Sequence, residues 1–258
     1  MIRLRPVLKV IGVLLLLLGL LMLACLPFSY RFGAMDAEPL VLSAIVCLLA
    51  GLTVWVPQRR VAVRVGKREG YLIVAGGWMA MVSFGMLPYL FSGLIPTVPE
   101  AFFETMSGMT TTGATVLTDI EAAPRGLLFW RSLTQWIGGM GIIVLTVAIF
   151  PLLGIAGIEL FTAEAPGPSA DKIHPRIQET AKRLWLLYVG LTTLLALLLK
   201  LEGMSFYEAL NHALTTMATG GFSTQNESIA AFPNPLIQYT LVVFMFLAGN
   251  NYTVTYWA

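Results

Sequence analysis

The sequence predicts an all-α polytopic membrane protein: two N-terminal transmembrane helices followed by two helix, re-entrant loop, helix repeats. Three observations carry that prediction. Hydrophobic residues make up 57% of the 258 and charged residues only 12%, with a mean hydropathy of +0.79, whereas a soluble domain carries about 25% charged residues. Charge-free runs of about 20 residues, enough to cross the hydrocarbon core, recur along the chain. Finally, a short segment ending in a charge-free Thr-Gly stretch occurs twice, as Thr110-Thr111-Thr112-Gly113-Ala114-Thr115-Val116 and as Met217-Ala218-Thr219-Gly220-Gly221-Phe222-Ser223.

The spans follow in order. Arg3, Arg5 and Lys9 precede an uncharged run of 21 residues from Val10 to Tyr30, longer than the core of about 7 to 15 residues in a cleaved signal peptide, so a retained first helix is expected. Pro39 to Gln58 is the second span, with Trp55 as an interfacial anchor. The third lies within Gly70 to Pro96, kinked at Pro88. The fourth runs from Leu127 to about Pro151 through Trp136-Ile137-Gly138-Gly139-Met140-Gly141. The fifth runs from Leu184 to Leu201, with Arg183 and Lys200 snorkelling to the two interfaces. The sixth begins at Pro235 and is still running at Ala258, so the second repeat is expected to continue. Residues 1–60 then form an extra helix pair, 61–160 the first repeat and 161–258 the second, joined by a linker from Thr162 to Ile173 that contains Pro166, Gly167 and Pro168.

Pro99 to Thr110 and Ser205 to Ala218 are too short to span and carry Glu100, Glu104, Glu208, Asn211 and His212. Each opens on a capping box, Thr97-x-x-Glu100 and Ser205-x-x-Glu208. A short helix followed by extended backbone at membrane depth reads as a re-entrant loop. With the N-terminus inside, the cytoplasmic side holds Arg3, Arg5, Lys9, Arg59, Arg60, Arg64, Lys67, Arg68, Lys172, Arg176, Lys182 and Arg183, twelve of the 16 basic residues, as the positive-inside rule requires. Both loops then enter from outside. Glu100 and Glu208 lie 108 residues apart, as do Gly141 and Gly249, but Gly113 and Gly220 lie 107 apart, so one extra residue is expected in the first loop.

Backbone carbonyls can replace the water of a cation without adding a fixed charge, and rings of them do so in potassium-selective pores. Gly permits backbone conformations that other residues resist. Thr111, Thr112 and Gly113, with Ala218, Thr219 and Gly220, are therefore the candidate carbonyl ligands of a cation, potassium on this analogy. The alternative is that Thr-Gly merely caps a short helix. Arg131 could repel or gate cations but is expected to snorkel outward, Glu104 and His212 are expected to be hydrogen-bonded packing residues, and Asp119 and Glu121 read equally as residues that concentrate cations at the mouth and as an ordinary solvated loop. The Gly138-to-Gly141 cluster suits close helix packing. A net charge of +2 gives no reason to expect nucleic acid. Cys25 and Cys47 read as buried hydrophobes. With only His174 and His212, no His-Glu-x-x-His and no Gly-x-Ser-x-Gly, an enzyme is not expected.

The runs Met106 to Thr115, Trp136 to Ile142 and Ala218 to Ser223 together resemble the bacterial Trk/Ktr/HKT superfamily of potassium transporters, and specifically its TrkH branch, over essentially the whole chain. The resemblance implies potassium uptake across the bacterial inner membrane through four pore loops in one polypeptide, each with one key glycine. Gly113 and Gly220 would be two of these. It also implies a homodimer, contact with membrane lipid, and a cytoplasmic nucleotide-binding regulatory subunit of the TrkA type. No organic cofactor is implied. Two loops are half of such a filter, so the chain is expected to be the N-terminal half of a transporter. The competing expectation is a non-conducting structural or regulatory membrane subunit.

Overall fold

The computed structural model describes residues 3–60, 67–139, 141 and 177–249. Among them all regular structure is helical. The linker from Thr162 to Ile173, the fourth span beyond α7 apart from Gly141, and the run after Gly249 lie outside the described residues.

The first apolar span, Leu4–Arg31, is two helices. α1 (Leu4–Leu23) stops at Ala24, and α2 (Leu26–Arg31) restarts with Pro27 in its first turn, where a missing N–H costs nothing. α3 (Ala37–Trp55) returns antiparallel against α1. The two pack at glycine distance: a Cβ on Gly12 or Gly51 would stand 2.9 Å from atoms of the other helix. α4 (Lys67–Gly85) and α5 (Leu87–Ser92) form the third span, broken at Met86 with Pro88 at the start of α5, which is the expected kink. Leu42, Ile45, Leu49 and Leu52 line an exposed face of α3, the face suited to lipid.

α6 (Val98–Met109) and α9 (Phe206–Met217) are the two short helices, 12 residues each. Their caps differ. Ser205 Oγ accepts the Glu208 N–H at 3.2 Å, one half of a capping box, while the Glu208 carboxylate accepts from Gln225 Nε2 at 2.7 Å. Thr97 instead donates its hydroxyl to the Glu100 carboxylate at 2.5 Å and caps no backbone N–H. α8 (Ile177–Leu201) and α10 (Pro235–Gly249) flank α9.

α7 (Arg125–Gly139) holds the centre. The sequence places the start of the fourth span here, and Leu127 through Gln135 are buried in protein without a break. One apolar core joins α1 to α7 and includes Tyr207 and Leu214 of α9. A second lies among α8, α9 and α10, and Trp136 of α7 touches both. The N-terminal pair and the first repeat therefore share one core. Asp36, at the turn between α2 and α3, accepts the Leu127 N–H at 2.7 Å in the first turn of α7 and also binds the Ser29 hydroxyl. At the same end, the Tyr207 hydroxyl donates to the Arg125 carbonyl at 2.6 Å. Free N–H groups and the positive end of the helix dipole make that terminus a good place for a carboxylate.

Candidate functional site at the paired Thr-Gly loops

Each short helix ends the same way. The Thr111 N–H bonds to the Gly108 carbonyl at 3.0 Å and the Thr112 N–H to Ser107 at 2.9 Å. In the second copy, Thr219 bonds to Thr216 and Gly220 to Thr215, both at 2.9 Å. This pair of bonds is the Schellman motif, whose left-handed residue is usually Gly. Here it is Thr, at φ +57° for Thr111 and +56° for Thr219. A β-branched residue held there stores strain on the order of 1–3 kcal/mol, a cost that clusters at functional positions. So a helix cap is present, but it is formed by the threonines rather than by the Thr-Gly glycines.

The next positive angles fall at Gly113, φ +76°, and Gly221, φ +78°. Helix ends, cap bonds and torsions thus all repeat at an offset of 108, without insertion. The extra residue expected in the first loop is absent, because matching Gly113 to Gly220 follows residue type while the backbone matches Gly113 to Gly221 and Thr112 to Gly220. Gly220 has a different task. A Cβ there would stand 2.3 Å from Gln135 Cδ, and one on Gly113 would fall 2.1 Å from the Gly220 carbonyl oxygen. The two loops therefore meet backbone to backbone.

Among the described residues, no hydrogen bond is donated to the carbonyls of Thr111, Thr112, Gly113, Ala218, Thr219 or Gly220, whereas two carbonyls further out are taken. Ser107 Oγ donates to Ala114 O at 2.6 Å, and an Arg131 terminal nitrogen donates to Ser223 O at 3.1 Å. Among the described residues, then, the six candidate carbonyls carry no hydrogen bond. A cavity of about 430 Å³ opens beside the second loop, lined in part by Thr215, Thr219, Gly220 and Gly221.

α7 is the wall behind both loops, and Arg131, Gln135, Gly138 and Gly139 form one stripe of it at helical spacing. Gln135 Oε1 accepts the Phe222 N–H at 3.1 Å. A Cβ on Gly138 would lie 1.8 Å from the Met109 carbonyl oxygen, and one on Gly139 would lie 2.7 Å from Ala218 Cα, so these glycines serve close packing. Arg131 does not snorkel: it is 2% exposed, and its Nε donates to Glu104 Oε1 at 2.6 Å. Its guanidinium also lies 3.5 Å from the centroid of the Phe222 ring. Glu104 accepts from Thr115 Oγ1 at 3.0 Å and from the Val116 N–H at 2.9 Å. In the second repeat, His212 stands where Glu104 stands in the first. Its Nδ1 lies 2.9 Å from the Glu208 carbonyl, which can only accept, so Nδ1 carries the proton and Nε2 accepts from Ser223 Oγ at 3.1 Å. His212 is a hydrogen-bonded packing residue, as the sequence suggested.

Outside the loops, Asn226 clasps the segment after the first loop. Its Oδ1 accepts the Ile120 N–H at 2.7 Å, its Nδ2 donates to Asp119 Oδ1 at 3.1 Å, and its N–H donates to Glu121 Oε1 at 3.0 Å. Asp119 and Glu121 lie in an exposed loop and, through Asn226, also tie the repeats together. Hydrogen bonding from Asn226 and then from the Ala122 N–H holds the Asp119 carboxyl below its usual value.

Two non-spanning helices that end in strained, mutually abutting loops, with carbonyls that no described residue hydrogen-bonds, define a pore-loop membrane protein. The family model described as "TrkH: Cation transport protein" matches residues 38–258. The chain belongs to the TrkH family of cation transport proteins. It is 42% identical over 252 residues to the Trk system potassium uptake protein TrkH of Salmonella typhimurium, a match covering 96% of this chain and 52% of that protein. It is 34% identical over 254 residues to the Trk system potassium uptake protein TrkG of Escherichia coli, again 52% of that protein. The crystal structure of the potassium transporter TrkH from Vibrio parahaemolyticus superposes with a TM-score of 0.82 at 38% identity, over 99% of this chain and 52% of that one. The chain spans about half the length of the curated relatives it matches.

Proposed function

We propose that this chain supplies two of four filter loops in a potassium uptake pore of the bacterial inner membrane, and corresponds to the N-terminal half of its relatives. The observation that carries the reading is the pair of abutting loops in which the carbonyls of Thr111, Thr112 and Gly113 and of Ala218, Thr219 and Gly220 carry no hydrogen bond among the described residues. These carbonyls would take the place of the ion's water. Gly113 and Gly221 are the glycines the backbone requires, and Gly220 sets the distance between loops. The names of the relatives support potassium as the cargo. The N-terminus lies in the cytoplasm on this reading, with residues 1–60 as the added helix pair and 61–160 and 161–258 as the repeats. Assembly as a homodimer with a TrkA-type nucleotide-binding subunit belongs to the same proposal.

The test is cation flux into liposomes, comparing the 258-residue chain with the intact gene product. Potassium entering in preference to sodium through the intact product is expected. Equal entry of both ions, or none, refutes the reading. Flux from the intact product alone would identify the present chain as an inactive half, and flux from the 258-residue chain as well would show that two copies close a pore.

A further inference from the structure

We propose that Arg131 is a positioning residue that couples the two loops into a single selectivity element through its joint hold on Glu104 and Ser223. The inference rests on the pore reading above. Each pore helix carries one buried polar residue that clamps a hydroxyl eleven positions later: Glu104 holds Thr115, and His212 holds Ser223. The clamps are local to their own repeats. Arg131 joins them, because its Nε binds the Glu104 carboxylate while another guanidinium nitrogen binds the Ser223 carbonyl.

The guanidinium is planar and its donors are fixed relative to one another. A movement of Thr115 and Val116 that drags Glu104 therefore turns the same group that fixes Ser223. Burial leaves no water to substitute for either bond, as Glu104 is 0% and Arg131 2% exposed. The Phe222 ring against the guanidinium closes the remaining face. The helix that carries Arg131 is itself fixed, by Asp36 and Tyr207 at one end and by Tyr188 donating to the Trp136 carbonyl near the other. Arg131 touches none of the six carbonyls assigned to the ion, so its effect on selectivity passes through the loops.

The test measures rubidium uptake and its inhibition by sodium for the intact gene product in cells lacking their own potassium uptake, normalised to the amount of protein in the membrane. Three variants are compared. Arg131→Lys keeps the charge but loses the fork. Glu104→Gln with Arg131→Met removes both charges and so avoids an unpaired buried ion. Gly113→Ala perturbs the loop directly. Losing hydrogen bonds to a charged group should reduce discrimination against sodium by about tenfold in the first two variants, while protein level stays near normal. The ratio is independent of expression, so a merely structural role would lower the amount of transporter without moving it. Unchanged discrimination in R131K and in the double variant, with Gly113→Ala impaired, overturns the positioning role alone. Unchanged discrimination in all three overturns the pore reading as well. If the double variant fails to reach the membrane, R131K decides.

Discussion

Gly113→Ala places a methyl group where two repeats meet, and the structure sets the size of the disturbance. The new Cβ would lie 2.1 Å from the Gly220 carbonyl oxygen, against the 3.0 Å below which real Cβ contacts essentially never fall, so the loops must part by at least about 0.9 Å. The obstacle is backbone and cannot rotate away. The residue would also keep φ near +76°, a left-handed conformation that costs an L-residue roughly 1–2 kcal/mol. Parting the loops relieves the clash, and it moves the Gly220 carbonyl away from its present place. If that carbonyl helps to discriminate potassium from sodium, strain of this size corresponds to a loss of selectivity of roughly five- to thirtyfold. Rubidium uptake competed by sodium, normalised to membrane protein, measures it. The informative comparison is Gly221→Ala, which has a similar φ of +78° but open space around its Cβ. It should lose less. Wild-type selectivity in Gly113→Ala, or equal losses in the two variants, would refute the reasoning.

Three further outcomes are expected from two variants. Gly138→Ala drives a methyl to 1.8 Å from the Met109 carbonyl and should destabilise the detergent-solubilised protein by about 1–3 kcal/mol or more, as overpacking does; an unchanged melting temperature would contradict the close packing. Asn226→Ala removes the two side-chain bonds of the outer clasp, so amide exchange at Ile120 should quicken. The same variant should shift the acid response. Asp119 is held below its usual value in the fold, so its contribution is present at neutral pH and lost as pH falls through the folded value. Without Asn226 that acid-side loss should shrink, and an identical acid profile would count against the clasp.

Much of this architecture was legible because hydrophobic length and charge placement report membrane position directly. The runs at Val10, Pro39, Gly70 and Leu184 emerged as helices, and the polar residues of two short segments marked them as unable to span. What escaped was set by contacts rather than by composition. Arg131 reads as a snorkelling residue until Glu104, 27 positions earlier, is seen to neutralise it in the interior. Aligning glycine with glycine sets the two loops one residue out of register. The offset of 108 shared by Glu100 with Glu208 and by Gly141 with Gly249 was the available signal, and it outweighs a match of residue type because the turn accommodates Thr where Gly is usual. The break at Ala24 had a signal as well, in Pro27, hidden inside a run whose hydropathy is uniform.

The bond between Asp36 and the Leu127 N–H joins residues 91 apart, and it has a meaning in time. A chain made from its N-terminus lays down the carboxylate before the helix it will cap. The segment from α1 to the start of α3 thus arrives first and carries, partnered by Ser29, the acceptor on which the start of α7 settles. The turn between α2 and α3 thus gives the wall behind both loops its foundation.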